Sequence, residues 1–123
     1  MTRQSFDPAD LVARLGAGDS LACARAITQV EALDARSDAL LALLFPRLGR
    51  AWRVGVAGPP GAGKSSLALC LARIWRERGW RVGVIAVDPT SPISGGALLG
   101  DRIRLREVAT DPGVFIRSLA TRG

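Results

Sequence analysis

The stretch that decides the fold is Gly58-Pro59-Pro60-Gly61-Ala62-Gly63-Lys64-Ser65. It fits the pattern G-x-x-x-x-G-K-[ST] at every fixed position, and that pattern marks a loop that binds phosphate groups. The apolar residues 54–57 before it predict a short buried strand, and residues 65–78 after it predict a helix. This order of strand, glycine-rich loop and helix predicts an α/β fold with a parallel sheet and flanking helices.

Each residue type in this loop has a chemical reason to be there. The glycines allow a tight turn whose N–H groups point inward, and these groups bind phosphate oxygens together with the positive end of the following helix. Lys64, the only lysine in the chain, can reach the terminal phosphates, and Ser65 offers a hydroxyl to Mg²⁺. We therefore predict nucleotide contacts from all of residues 58–65 and from Ser66. An ordinary turn before a capped helix is the alternative, but it explains neither the spacing nor the isolated lysine.

The first 50 residues have the pattern of a separate helical segment. Helices are predicted from Asp7-Pro8 to about residue 16, from Asp19-Ser20 to about residue 33, and from Ser37, as the helix cap, to about residue 45. We therefore expect a helical segment over 1–50 and the nucleotide-binding segment over 51–123.

A second strand is predicted over residues 82–87, which form a continuous apolar run of the kind that is buried on both sheet faces. A strand, helix and strand of these lengths imply a right-handed crossover, so residues 54–57 and 82–87 should pair in parallel. Phe115 and Ile116 are expected to begin a third strand.

Two acidic residues are candidates for the other half of the site. Asp88 directly follows the second predicted strand, and the carboxyl ends of parallel strands face the ligand. It could meet Mg²⁺ or belong to an ordinary Asp-Pro turn. Asp101 comes after the polar loop 89–100 and could cap a helix over 102–108. It could instead approach the metal when a γ-phosphate is bound.

The composition limits the classes of partner. The net charge of +6 resides in residues 51–123, where eleven basic and five acidic side chains suit a polyphosphate ligand. No lysine cluster or aromatic-interleaved basic patch favours nucleic acid, and without histidine a His-based metal site is excluded. The two distant cysteines, Cys23 and Cys70, lie in apolar, helix-like contexts and predict buried free thiols. The chain has no membrane-length apolar run or targeting pattern, so we expect a cytoplasmic protein without a membrane partner.

Three motifs, AGPPGAGKSSL (57–67), VIAVDPTSPISGGALLGDRIRL (84–105) and DPGVFIRSLATRG (111–123), resemble the MeaB/ArgK-type GTPases, a group that includes the MMAA proteins. The resemblance implies a P-loop GTPase of the SIMIBI class that uses GTP and Mg²⁺. It further implies a G-protein chaperone of a cobalamin-dependent acyl-CoA mutase, such as methylmalonyl-CoA mutase, which forms a homodimer at full length. By the same resemblance Ser65, Asp88 and Asp101 are the metal-site residues, Lys64 and Asp101 act in catalysis, and Asp101 lies in the first switch region.

Several family features are missing after the third motif. The chain has neither an acidic Walker B strand nor an N-K-x-D motif, so no residue in it selects guanine. We therefore predict an incomplete domain, the N-terminal portion of a longer protein, that binds GTP with or without turnover. A P-loop small-molecule kinase is one alternative, although we find no acceptor site. A non-catalytic nucleotide-binding remnant is the other.

Overall fold

The computed structural model describes residues 6–89 and 108–121, with side chains over 6–87 and 108–119. The chain divides into two compact units, Met1–Arg53 and Val54–Gly123. Each unit has its own apolar core. The first is helical within the described range, and the second combines a helix with a parallel pair of strands.

The first unit contains three helices and a short 3-10 turn. They are α1 (Pro8–Gly16), α2 (Ser20–Glu31) and α3 (Ala35–Leu44), followed by the turn Phe45–Arg47. Each helix begins after an aspartate whose carboxylate accepts two backbone N–H groups; these aspartates are Asp7, Asp19 and Asp34. Because such a side chain satisfies N–H groups that have no partner within the helix, each aspartate fixes where its helix begins.

The predicted cap of the third helix was wrong by three residues. Asp34 is the cap, and its Oδ1 accepts the N–H groups of Arg36 and Ser37 at 3.0 Å each. The hydroxyl of Ser37 in turn accepts the N–H of Asp34 at 3.1 Å. The two side chains therefore form a reciprocal capping box, which requires both residue types at this spacing.

The core of the first unit lies where the three helices meet. It consists of small and branched apolar residues from all three helices: Leu11, Val12, Ala22, Ala26 and Leu40. Leu40 has no exposed surface, and the buried hydroxyl of Ser37 donates a hydrogen bond to the carbonyl of Gln29. A buried hydroxyl that is hydrogen-bonded in this way can lie next to an apolar core without a large desolvation cost.

The second unit contains α4 (Lys64–Glu77), β1 (Val82–Pro89) and β2 (Val114–Thr121). The strands pair in parallel, with Val82 opposite Val114 and the register unbroken to the ends of both strands. Ala72 of α4 is buried against Val82 and Val114. Helix α4 therefore covers one face of the strand pair, and its amino end directly follows the phosphate-loop motif.

Two predictions about the strands were wrong. Residues 54–57 do not form a strand, and the predicted pairing with β1 is absent among the described residues, where β1 pairs with β2 instead. Nor is β1 buried on both faces, because Ile85 and Val87 are each 58% exposed. The physical reason is the same in both cases: α4 covers one face of β1, and no other described element covers the opposite face or the free edge.

Two further expectations concerned the cysteines and membrane-spanning segments. Both cysteines, Cys23 and Cys70, are free thiols as predicted, but the expectation that both are buried was wrong, because Cys23 is half-buried and Cys70 is exposed. In the part of the chain that the structure describes, none of the helices combines the length and the apolar character needed to cross a bilayer.

Candidate functional site

The phosphate-loop motif forms the turn that leads into α4. Gly61 has a φ of 79° and Gly63 a φ of 91°, both in the left-handed region that favours glycine. A Cβ atom added at either position would meet nothing within 4 Å. Glycine is therefore needed here for its backbone conformation, not for lack of space.

The start of α4 differs from the starts of the other three helices. Whereas α1, α2 and α3 each follow an aspartate whose carboxylate caps the helix, α4 follows Gly63, which has no side chain to cap it. The first N–H groups of a helix have no partner within it, and the helix dipole adds positive potential at the same end. An oxyanion bound here would therefore accept hydrogen bonds from the first N–H groups of α4, as the aspartate carboxylates do in the other three helices.

Lys64 folds back over the loop. Its Nζ donates a hydrogen bond to the carbonyl oxygen of Gly58 at 2.6 Å. The loop is further closed by the N–H of Ala62, which donates to the carbonyl of Pro59 at 3.2 Å. The loop thus holds one ammonium group beside the first turn of α4, where Lys64 and Ser65 are half-buried.

The structure brings the predicted loop residues together, since residues 58–66 form one continuous turn and the first turn of α4. Asp88 was expected just after the second strand, but it lies within β1, with Ala120 as its register partner. Pairing with β2 extends the strand beyond the apolar run. Asp88's backbone neighbour Val87 lines the same groove as Lys64 and Ser65. The side chain of Asp88 and the whole of Asp101 lie outside the described residues, as does the loop 90–100.

A groove of about 470 Å³ adjoins the loop. We call it the edge groove; it is bordered by the segment 54–58, by residues 82–87 of β1, by α4 and by Ser118 of β2. The sequence did not predict it, because the predicted direct pairing of residues 54–57 with 82–87 would leave no groove between them. Among the described residues, no cluster of three or more Asp, Glu, Cys or His side chains could hold a metal unaided.

Comparison with known proteins matches residues 23–123 to the family described as methylmalonyl Co-A mutase-associated GTPase MeaB. A protein of Pyrococcus abyssi is 54% identical over 114 residues, which cover 93% of this chain. GTPase ArgK of Escherichia coli K12 is 39% identical over 119 residues, or 94% of this chain. The crystal structure of a LAO/AO transport system kinase superimposes with a TM-score of 0.59 at 32% identity over 94% of this chain.

These relatives are much longer than this chain. The matched region is 35% of the Pyrococcus abyssi protein, 36% of ArgK and 44% of the chain in the crystal structure. The likeness to that crystal structure confirms the predicted P-loop α/β fold, and the partial coverage agrees with the expectation of an incomplete domain.

Proposed function

The chain belongs to the methylmalonyl-CoA mutase-associated GTPase family MeaB, and from this premise we propose that residues 58–66 bind the phosphates of GTP. One observation carries the proposal: α4 begins without a side-chain cap, behind two glycines in the left-handed conformation and with a lysine as its first residue. These features together supply backbone donors, a helix dipole and an ammonium group at one point, which is the chemistry that a polyphosphate requires.

In this proposal Lys64 exchanges one partner for another when nucleotide enters. Its ammonium group leaves the neutral carbonyl of Gly58 and donates to a phosphate oxygen instead. A hydrogen bond between two charged groups is about twice as strong as one with a neutral partner. Nucleotide is thus the preferred partner of Lys64, and the group can neutralise charge on the γ-phosphate during hydrolysis.

Magnesium would be held mainly by phosphates and water. Ser65, in the first turn of α4, is the protein ligand best supported by position, and Asp88 and Asp101 are proposed from the family resemblance. Mg²⁺ usually keeps several waters and needs one or two protein ligands beside substrate phosphates. When bound, the ion neutralises charge on the β- and γ-phosphates.

For the longer proteins of the family we propose GTP hydrolysis coupled to a cobalamin-dependent acyl-CoA mutase. The family description names methylmalonyl-CoA mutase as the associated enzyme, which supports a chaperone role for the longer proteins of this family. We propose that the loop 89–100 responds to the γ-phosphate and transmits this change to the mutase. A homodimer and a cytoplasmic location remain part of this proposal.

Calorimetric titration of the chain with GTP and with ATP, in the presence of Mg²⁺, tests phosphate binding. Lys64→Ala should weaken binding at least about tenfold, because a hydrogen bond to a charged group contributes about 1.5–3 kcal/mol. Arg81→Ala is the matched control, since it removes an exposed positive charge just before β1. Equal affinities for the parent chain and Lys64→Ala would exclude the loop as the nucleotide site.

The proposed activity is tested by adding methylmalonyl-CoA mutase to a full-length family member and measuring phosphate release. Faster hydrolysis of GTP with the mutase present is the expected result. Transfer of the phosphate to an added metabolite would favour a kinase instead. Binding without any turnover would favour a non-catalytic remnant.

A further inference from the structure

Helix α4 connects the phosphate loop to the opposite end of the second unit. Its first residue is Lys64, and Arg76 lies one residue before its last residue, Glu77. A helix rises about 1.5 Å per residue, so Lys64 and Arg76 lie about 18 Å apart along the helix axis. A contact that fixes the carboxyl end of α4 therefore influences where the N–H groups at its amino end point.

The packed part of α4 lies between these two ends. Within this helix, all of which the structure describes, Ala72 is the buried residue. Leu69 and Trp75 pack against the same apolar core, and no residue of α4 before Leu69 belongs to it. The first turn of α4 therefore extends beyond the packed part, and its position depends on the direction of the helix axis.

Arg76 holds the carboxyl end of α4 at two points. Its Nε–H donates to Oδ2 of Asp111 at 2.9 Å, and its Nη1 donates to the carbonyl of Trp80 at 2.8 Å. Asp111 lies in the turn before β2, and Trp80 lies two residues before β1. One planar guanidinium group thus joins the end of α4 to the amino ends of both strands.

The surroundings of this contact restrict its geometry. The side chains of Arg76 and Asp111 are 25% and 34% exposed, so water competes less for their charged groups than it would at an open surface. The other oxygen of Asp111, Oδ1, accepts the N–H of Gly113 at 2.8 Å. Because both carboxylate oxygens have partners, the carboxylate that receives Arg76 has a fixed orientation.

The distances along α4 make its amino end sensitive to this contact. Arg76 lies about 6 Å from Ala72 along the axis, whereas Lys64 lies about 12 Å from it in the other direction. If the helix turns about its buried middle, a displacement at Arg76 is doubled at Lys64. A displacement of about 1 Å at a reacting centre can cost about 100-fold in rate, so a phosphate site is sensitive to movements of this size.

We propose that Arg76 is a positioning residue for the phosphate site. By holding the carboxyl end of α4 to Asp111 and Trp80, it directs the first N–H groups of the helix and the ammonium group of Lys64 at phosphate oxygens. Arg76 does not touch the nucleotide and acts through the helix. The inference rests on the proposed binding of GTP by residues 58–66, and it adds a residue that the phosphate-loop pattern does not contain.

Calorimetric titration with GTP and Mg²⁺ tests this role in Arg76→Ala and Arg76→Lys. The titrations are made at a temperature at which circular dichroism shows each variant to be fully folded, so lost stability does not appear as lost affinity. Arg76→Ala should weaken GTP binding about tenfold. Arg76→Lys should recover part of this loss, because its ammonium group can still pair with Asp111 but lacks the planar fork that also reaches Trp80.

Gly113→Ala displaces the same guanidinium group without changing α4. A Cβ atom at position 113 would collide with the guanidinium group of Arg76. This substitution should weaken GTP binding in the parent chain and have little effect in an Arg76→Ala background. It also replaces Arg76→Ala as the test variant if that protein does not fold.

Arg78→Ala is the matched control, since Arg78 directly follows the same helix and its guanidinium group lies over the ring of Trp80. It should bind GTP like the parent. Equal affinities for the parent, Arg76→Ala and Gly113→Ala would overturn the inference and leave the proposed function standing. A loss in Arg78→Ala as large as that in Arg76→Ala would also overturn it, because a general effect of positive charge would explain both. A parent chain that gives no heat with GTP would remove both the inference and the proposed function.

Discussion

Arg76 near the end of α4 donates its Nε–H to Oδ2 of Asp111 at 2.9 Å, and its Nη1 donates to the carbonyl of Trp80 at 2.8 Å. The other carboxylate oxygen of Asp111 accepts the N–H of Gly113 at 2.8 Å. One guanidinium group therefore joins the end of the helix to the turn that precedes β2. The two residues are 35 positions apart, so this contact fixes how α4 lies on the strand pair.

The stability of this contact should depend on pH. The hydrogen bond from Arg76, and then that from the N–H of Gly113, lower the pKa of Asp111 below its ordinary 3.8. Because the pKa is lower in the folded state, the ionised carboxylate stabilises the fold above pH 3.8, and this contribution is lost as the pH falls through the folded-state pKa. Asp111→Asn should therefore be less stable than the parent at neutral pH, and the difference should shrink with acidification from about pH 5 to about pH 2.

Urea unfolding followed by circular dichroism at a series of pH values measures this difference. Glu77→Gln is the control, because Glu77 is an exposed acid on the same helix. It should show no comparable pH-dependent gap from the parent. A gap between Asp111→Asn and the parent that stays constant across the series would contradict the assigned role of the carboxylate.

Gly113→Ala tests the same contact from the other side. A Cβ atom at this position would collide with the guanidinium group of Arg76. The arginine is the flexible partner, so it should move and lose its hydrogen bond to Asp111. Gly113→Ala should thus destabilise the parent clearly but cost much less in an Arg76→Ala background, where the guanidinium group that the Cβ atom would meet first is gone. Urea unfolding of the four proteins of this cycle measures the coupling, and simple additivity would show that the collision is relieved elsewhere.

The elements that the sequence predicted well are those whose signals are local. Asp7, Asp19 and the glycine-rich motif each determine a helix start through residues within four positions of it. The cap of the third helix was predicted wrongly because Asp34 and Ser37 are both good capping residues. Only the folded turn decides which of them accepts the helix N–H groups.

The features that the sequence did not predict depend on distant residues. An apolar run such as 54–57 indicates a strand, yet a strand exists only where a neighbour accepts its hydrogen bonds, and no described segment does so. No periodic pattern in the sequence indicates that Arg76 pairs with Asp111. For the candidate site, the loop was predictable from its fixed spacing, whereas the hydrogen bond from Lys64 to Gly58 required the folded geometry.

The left-handed backbone at Gly63 should matter more than its small size. Gly63→Ala puts a Cβ at a φ of 91° with open space around it, so the strain is purely conformational and of about 1–2 kcal/mol. Residue 63 should leave the left-handed region, reorient the first N–H groups of α4 and weaken GTP binding about tenfold. Gly63→Asn should retain more affinity, since asparagine tolerates this conformation better than alanine.

Calorimetry with GTP and Mg²⁺, together with urea unfolding, separates binding from folding in these variants. Gly83→Ala is the matched control, since Gly83 is also exposed and also has open space, but without a positive φ. It should bind GTP like the parent. If alanine and asparagine at position 63 bind GTP equally well, the left-handed conformation is not what presents the amides.

Asp88→Asn should change how nucleotide binding depends on magnesium. Asp88 follows Val87, which lines the edge groove with Lys64 and Ser65, so the carboxyl end of β1 and the phosphate loop border the same groove. Asparagine keeps the size of the side chain but removes the charge that attracts the cation. The magnesium concentration for half-maximal GTP binding should therefore rise about tenfold, a change typical of losing one metal-site partner, while binding without magnesium should be unaffected.

Asp111→Asn is the control carboxylate in the same unit, because its partner is Arg76 and not the cation. Calorimetric GTP titrations across a magnesium series, with and without a chelator, measure both quantities, and a magnesium curve that coincides with the parent's would remove Asp88 from the metal site.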